Sequence, residues 1–341
     1  MVRKHADSNE FKGNVSASYG SWDKQRYVLD LQAPLVESGK VRGRLITGYQ
    51  DNDSFVDNYH YRKNSCTVWW MPMSPTAPPS LWDMNTRRAR LKILPGAGLP
   101  TWYSDGSKTH YNHSQTVAPD WAYSDKDNTR IFANLTQRFD NGWEAHINGM
   151  HAETNFDTKL MYMYGYPDKD TGSGLVGYGG WNRGERKQDA VDAFLRGDFD
   201  LFGRQHEMMF GGSFSVSATT TTTQCRIPFT VWLMWVISKT GTVILPTPTV
   251  DAVEALQPGR YSVSPQRIPL PASRWADPLH LILGARYTNY NIRYNPAGSP
   301  DTRLESTKDD VTPYAGLVYD INEDWSTYIS LYLYLPAAGQ A

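Results

Sequence analysis

The chain has 341 residues, with 34 basic and 35 acidic side chains and a formal charge of −1. That balance excludes the basic stripe of a typical nucleic-acid binder, and 13% aromatics with 27 glycines exclude ordinary disorder. Two cysteines, Cys66 and Cys225, speak against a disulfide scaffold or a thiolate zinc site. No run of 18 apolar residues marks a membrane-spanning helix, but β-barrel strands alternate and escape that test.

Met1-Val2-Arg3-Lys4-His5 leads into a polar run without an apolar leader or cleavage site. The expectation is therefore a cytosolic chain or one missing its N-terminus. Tyr27, Leu29 and Leu31 alternate with Val28, Asp30 and Gln32. After the polar turn Glu37-Ser38-Gly39-Lys40, Val41, Gly43 and Leu45 alternate with Arg42, Arg44 and Ile46. Ile131, Ala133 and Leu135 lead to Asp140-Asn141-Gly142, beyond which Trp143, Ala145 and Ile147 alternate with Glu144, His146 and Asn148. Asn-Gly between alternating runs predicts a hairpin. Further runs cover Ala190–Asp200, Met208–Val216, Leu279–Tyr290, Val311–Asp320 and Trp325–Leu331.

Runs of about 9–12 residues suit tilted membrane strands better than globular ones. Tight turns alternate with long segments, Pro100–Asp120 and Tyr164–Lys187, as short periplasmic turns alternate with long extracellular loops in outer-membrane barrels. Phe139–Ile147 is echoed by Ile321–Ile329, each with a Trp directly after the turn, where an interfacial aromatic girdle would sit. A soluble β-sandwich or propeller would instead use such a Trp to cap its core.

Residues 66–98 and about 218–275 break the pattern. Together they hold 12 of the 21 prolines and 6 of the 12 tryptophans, and proline at that density is expected to leave a sheet. They could be proline-rich loops, but unstructured loops beyond about 15 residues are uncommon. Codons suggest another reading. Trp and Met have one codon each, so Trp69-Trp70-Met71-Pro72-Met73-Ser74 largely fixes its own DNA. One base back, that DNA reads (Val/Leu/Met)-Val-Asp-Ala-(Asp/Asn/His/Tyr)-Val. Leu81–Thr86 likewise gives (Val/Leu/Met)-Gly-(Tyr/His)-Glu-(Tyr/His), and together these look like a barrel hairpin. Residues 66–98, about 218–275 and about 331–341 are accordingly expected to be translated out of frame.

The remainder carries a specific resemblance. Lys4-His5-Ala6-Asp7-Ser8, Phe11-Lys12-Gly13-Asn14-Val15, Tyr19-Gly20-Ser21-Trp22 and Tyr27–Leu31 resemble the plug-to-barrel junction and first strands of TonB-dependent siderophore receptors. Ala118–Tyr123, Leu201–His206, Met209–Ser213, Ala276–Asn289 and Thr312–Asn322 are similar to the members that take ferric coprogen and ferric rhodotorulate. The resemblance implies an all-β fold, the N-terminal half of a 22-stranded plugged transmembrane barrel. Residues 1–10 would end the plug, residues 11–341 would form barrel, and the plug itself would be missing. It also implies uptake of ferric hydroxamate siderophores across the outer membrane, powered by the TonB system, with no bond made or broken. Its partners would be the siderophore, TonB and outer-membrane lipid, with no nucleic acid. It calls for no cofactor, since iron stays inside the siderophore. Open strand edges cannot face lipid, so this chain is expected to be a non-functional remnant of a transporter gene.

Under that resemblance, Trp102 and Tyr103, beside Gly98-Leu99-Pro100, and Trp181, within Gly179-Gly180-Trp181-Asn182, sit where extracellular loops should converge on ligand. A flat indole can cover the apolar part of a chelate; the alternatives are loop packing or an upper aromatic girdle. Arg42 and Arg44 should face the lumen, in salt bridges with plug or wall. His110 and His113 read as solvated loop residues, for want of a third ligand. Asp168, Asp170 and Glu185 form no recognisable catalytic pair, and Gly177, Gly179 and Gly180 precede no helix signal. The other classes weighed are a secreted Trp-rich sandwich or propeller binding carbohydrate, with strands nearer five or six residues, and a β-rich glycosidase, which needs two facing carboxylates.

Overall fold

A computed structural model describes residues 8–72, 81–92, 98–201, 203–225, 229–231, 255–267, 270–276, 278–294 and 304–332. Strands β1 (Lys12–Gly20), β2 (Lys24–Pro34), β3 (Val41–Asp53), β4 (His60–Pro72) and β5 (Leu81–Lys92) come first. They are followed by β6 (Tyr123–Arg138), β7 (Glu144–Gly165), β8 (Leu175–Leu201), β9 (Arg204–Cys225) and β10 (Phe229–Val231). Then come β11 (Ala255–Arg267), β12 (Leu270–Ala276), β13 (Leu279–Tyr294), β14 (Leu304–Asp320) and β15 (Ser326–Tyr332). All belong to one 15-stranded sheet in which β1 to β9 are neighbours in chain order, continuing through β11, β13, β14 and β15. Every pairing is antiparallel, as in a meander of hairpins.

The register separates two faces. Leu31, Leu45, Val68, Met84 and Ile131 stand in one row across β2 to β6. Trp70, Trp82, Ala133, Gly149, Val191 and Phe214 form the next row on the same face. Many of these side chains are open to the surroundings: Ile147, Val191 and Phe214 are each about half exposed. An apolar band of that extent is an interaction surface, not a solvated one. The opposite face carries Arg44, Trp69, Asp83 and Phe132 in one row and Asn134, Asn148, Asp192 and Ser213 in another. Its polar groups satisfy one another across strands. Arg44 grips Asp30 through Nε and Nη2, both at 2.8 Å, and Asn148 donates to Asp192 at 2.6 Å while accepting from Asn134. Arg44 thus makes the expected wall ion pair.

The turns close as their sequences predict. The Phe139 amide donates to the Trp143 carbonyl at 2.8 Å, and the Ile321 amide to the Trp325 carbonyl at the same distance. The sequence echo is therefore a repeated turn geometry. Gly142 takes φ 83° there, a conformation costly for any residue with a Cβ. Trp143 lies over Gly197, where an added Cβ would run into the indole, and meets Phe210 with ring centroids 6.3 Å apart. Trp70 and Trp82 stack at 6.2 Å near the same edge of the band. Trp143 thus packs directly after its tight turn, where the sequence places it.

Two expectations need correcting. The sheet does not stop at the proline-rich segments. Residues 66–72 and 81–92 continue it as the end of β4 and as β5, and 218–225, 255–267 and 270–275 also pair. Much of the proline in the first segment, Pro75, Pro78 and Pro79, lies between strands, outside the described residues. Pro265 falls where the register of β11 shifts, the bulge position at which a missing amide is tolerated. The second correction concerns Tyr164–Lys187, expected as a long loop. Strands β7 and β8 run far into it, for 22 and 27 residues, leaving only 166–174 as connection. Crossing a bilayer takes about 9–11 strand residues, so these strands project well beyond the apolar band. Beyond the band they carry polar and charged residues on both faces, and at the tip Met161, Met163 and Leu175 are buried.

Candidate functional site

The connections at one end of the sheet are tight (35–40, 139–143, 321–325); those at the other end include the longest, 93–122. The latter end gathers into a cluster. The Ser104 amide donates to the Pro167 carbonyl at 2.9 Å, joining the 93–122 connection to 166–174, and the Asp57 amide donates to the Ser114 carbonyl at 2.8 Å, joining it to 54–59. Val117, Ala118 and Ala122 are buried in the 93–122 connection, and Met161, Pro167 and Leu175 under the β7–β8 tip. Local polar turns set the loop shapes. Asp168 Oδ1 accepts from the Asp170 amide, the Thr171 amide and the Thr171 hydroxyl at 2.8–3.1 Å, which holds its carboxyl below the usual carboxylate range. The Ser107 hydroxyl and amide do the same for Asp105.

Trp102 and Tyr103 lie in this cluster. Trp102 bridges Lys108 and is 42% exposed, with Lys108 Nζ 5.5 Å from its ring centre. Tyr103 opens the adjacent turn, its amide donating to the Ser107 carbonyl at 2.8 Å. Trp181 is placed differently, in strand β8 and on the face that carries Val191 and Ala193 lower down. Its Nε1 donates to Asp157 Oδ1 at 2.7 Å, and the Tyr123 hydroxyl donates to the same oxygen at 2.9 Å. Lys159 Nζ and the Arg183 guanidinium lie 4.6 and 4.8 Å from the indole centre. The surroundings of Trp181 are therefore strand residues of β6 to β8, apart from the turn that holds Trp102 and Tyr103.

His110 and His113 are exposed, and no metal-holding group of His, Cys, Asp or Glu occurs among the described residues. Asp168 is engaged by its own turn, while Glu185 pairs with Lys187 at 2.9 Å.

Sequence reading missed a set of charges that only the register reveals. On the long-loop side of the band, the polar face carries Arg26, Lys63, Arg87, Lys126, Arg130 and Arg186. Counting alternate positions from Met84 or Ile131 could have found them, because those apolar residues fix which parity faces which side.

Compared with known proteins, residues 80–332 match the family described as TonB dependent receptor-like, beta-barrel. The chain is 29% identical over 348 residues to the ferric-pyoverdine BN7/BN8 receptor of Pseudomonas putida, covering 97% of this chain and 41% of that protein. It is 29% identical over 341 residues to the ferripyoverdine receptor of Pseudomonas aeruginosa, covering 97% and 39%. It thus spans about two fifths of the length of these relatives. The crystal structure of the P. aeruginosa outer-membrane ferripyoverdine receptor bound to ferripyoverdine superposes with a TM-score of 0.82 at 26% identity, covering 95% of this chain and 42% of that one. The ferric-catecholate import receptor Fiu of E. coli, at 15% identity and a TM-score of 0.79, shares the fold.

Proposed function

Because the chain belongs to the TonB dependent receptor-like β-barrel family, we propose that it forms barrel wall in an outer-membrane receptor for ferric siderophores. The observation that carries this reading is the two-faced sheet within the matched residues: its apolar band suits lipid and its polar face suits a lumen. The tight-turn end is then periplasmic and the loop cluster extracellular. Uptake draws on the TonB system, and the protein binds and moves its cargo without chemistry. The relatives above are receptors by name, not enzymes.

Two chelate classes are in play. The motifs at Ala118–Tyr123 and Ala276–Asn289 favour ferric coprogen and ferric rhodotorulate, whereas the similar receptors above take pyoverdines. Trp102 and Tyr103 contact the chelate from the loop cluster. Trp181, on the outward side and engaged by Asp157, has less support as a contact. The test is quenching of tryptophan emission in the detergent-refolded chain by ferric coprogen, ferric rhodotorulate and ferripyoverdine. Saturable quenching by one of them, weakened in Trp102→Ala, is expected; no response to any would end the reading.

We propose separately, from the codons, that residues 66–98 are read out of frame. Reading the gene across these codons settles it. A barrel-like hairpin with normal codon bias in the minus-one phase is expected, and normal bias only in the stated phase would refute it.

A further inference from the structure

We infer that the extracellular half of the polar face is a cationic funnel that selects ferric chelates carrying net negative charge. The inference deepens the receptor reading and rests on it for the identity of the ligand, although the charge pattern itself stands on the register alone.

Each funnel cation faces neutral neighbours on both sides. Arg26 stands between Ser18 and Gln50, and Lys63 between Gln50 and Ala89. Arg87 stands between Ser65 and Asn128, and Lys126 between Ala89 and Phe156. Arg130 stands between Asn85 and Ala152, and Arg186 between Thr154 and Thr219, to whose hydroxyl its Nε donates at 3.2 Å. Among the described residues of β1 to β9, the carboxylates of this face, Asp30, Asp83, Glu144, Asp192, Asp198, Asp200 and Glu207, lie level with the apolar band or toward the tight turns. The other face of the same strand segments is arranged differently. There Asp51 faces Arg62, Asp127 faces Arg88, Asp125 faces Arg90, Asp157 faces Arg183, Glu153 faces Lys187 and Asp189 faces His151.

One face thus sets both signs against one another, Asp125 standing between Arg90 and Asp157, and the other keeps cations of a single sign. Like charges directly opposite one another destabilise a sheet, and the neutral neighbours of each funnel cation avoid that arrangement. A concave wall of one sign concentrates oppositely charged ligands and raises their association rate by about 10 to 10³, an effect that salt removes. A ferric ion held by three hydroxamate anions is neutral overall and gains nothing from such a field. A ferric chelate built on catecholates or free carboxylates remains anionic and does.

The test is stopped-flow tryptophan quenching of the full chain in neutral detergent, between roughly 20 and 500 mM salt. The probes are neutral ferric coprogen, a ferric tris-catecholate of charge −3, and iron-free tripolyphosphate. The anionic chelate is expected to associate about tenfold faster at low salt than at high, and ferric coprogen at a rate indifferent to salt. The variant Arg87→Gln/Lys126→Gln/Arg130→Gln should lose most of the salt dependence, and Arg87→Lys/Lys126→Arg/Arg130→Lys should keep it. Equal, salt-independent rates for the two chelates would overturn charge selection and leave the siderophore reading intact. Salt- and variant-sensitive binding of tripolyphosphate alone would uphold the funnel and overturn the siderophore reading. No association with any probe would overturn both.

Discussion

The lower and upper halves of β6 to β9 are the same strands in different surroundings. Below, the outer face carries the apolar band and the inner face a polar wall, so Ile131, Ala133 and Leu135 alternate with Phe132, Asn134 and Thr136. Above, charged and polar residues stand on both faces, with Phe156 and Trp181 among them, where Asn155–Lys159 runs opposite Trp181–Glu185. Hydrogen bonding is continuous through both, with 22 registered pairs joining β7 and β8. What distinguishes the halves is the medium outside, not the backbone. Binary patterning records which solvent a strand meets, and it stops recording where both sides are wet.

Substitutions on either side of that boundary should behave differently. Ile147→Arg puts a charge in the band and should cost about 2–4 kcal/mol of folding free energy in lipid, while Glu153→Arg, higher on the same face, should cost about 0–1 kcal/mol. Equal costs in urea titrations of the refolded chain in bilayers would erase the boundary between the halves. Gly197→Leu displaces the Trp143 indole from its seat against β8. Overpacking of this kind should cost about 1–3 kcal/mol and perturb the near-ultraviolet dichroism of the tryptophans. Asp30→Asn leaves the Arg44 fork half satisfied on the polar face and should lower stability by about 1 kcal/mol, read from the same titrations. The smallest effect belongs to Asp168. Its carboxyl is depressed below the unfolded value, so its contribution to the 166–174 turn is complete above the ordinary carboxylate range and fades as pH falls through the depressed value. Limited proteolysis of that turn should quicken only in strong acid, and Asp168→Ala should quicken it at neutral pH.

Legibility in the sequence follows the same boundary. The hairpin at Asp140–Gly142, its echo at Asn322, the place of Trp143 after its turn and the wall position of Arg44 are all readable, because alternation against a band assigns each residue to a side. The tip of the β7–β8 hairpin is not, because Gly177, Gly179 and Gly180 beside polar residues look like a loop. Placing Trp181 at the mouth depends on that mistaken loop. Proline density misleads in a different way: it counts missing amides but not where they fall, and Pro265 falls at a bulge. The cations Lys63, Arg87 and Lys126 look unremarkable in a near-neutral chain. Only pairing, which tells which side each occupies and what stands opposite, separates them from the ion pairs behind them.

The length of the β7–β8 ladder has a mechanical consequence. Twenty-seven residues amount to about 90 Å of extended chain, of which, in the proposed barrel wall, a membrane would clamp only the lower portion. The remainder is a cantilever anchored at the headgroups, stiffened by an unbroken run of rungs and flanked along much of its length by β6 and β9. Force on the 166–174 tip would reach the fulcrum as a tilt of the whole blade before any single rung opened. Amide exchange in the ladder should therefore be slow almost to its tip, where Met161 and Leu175 are buried.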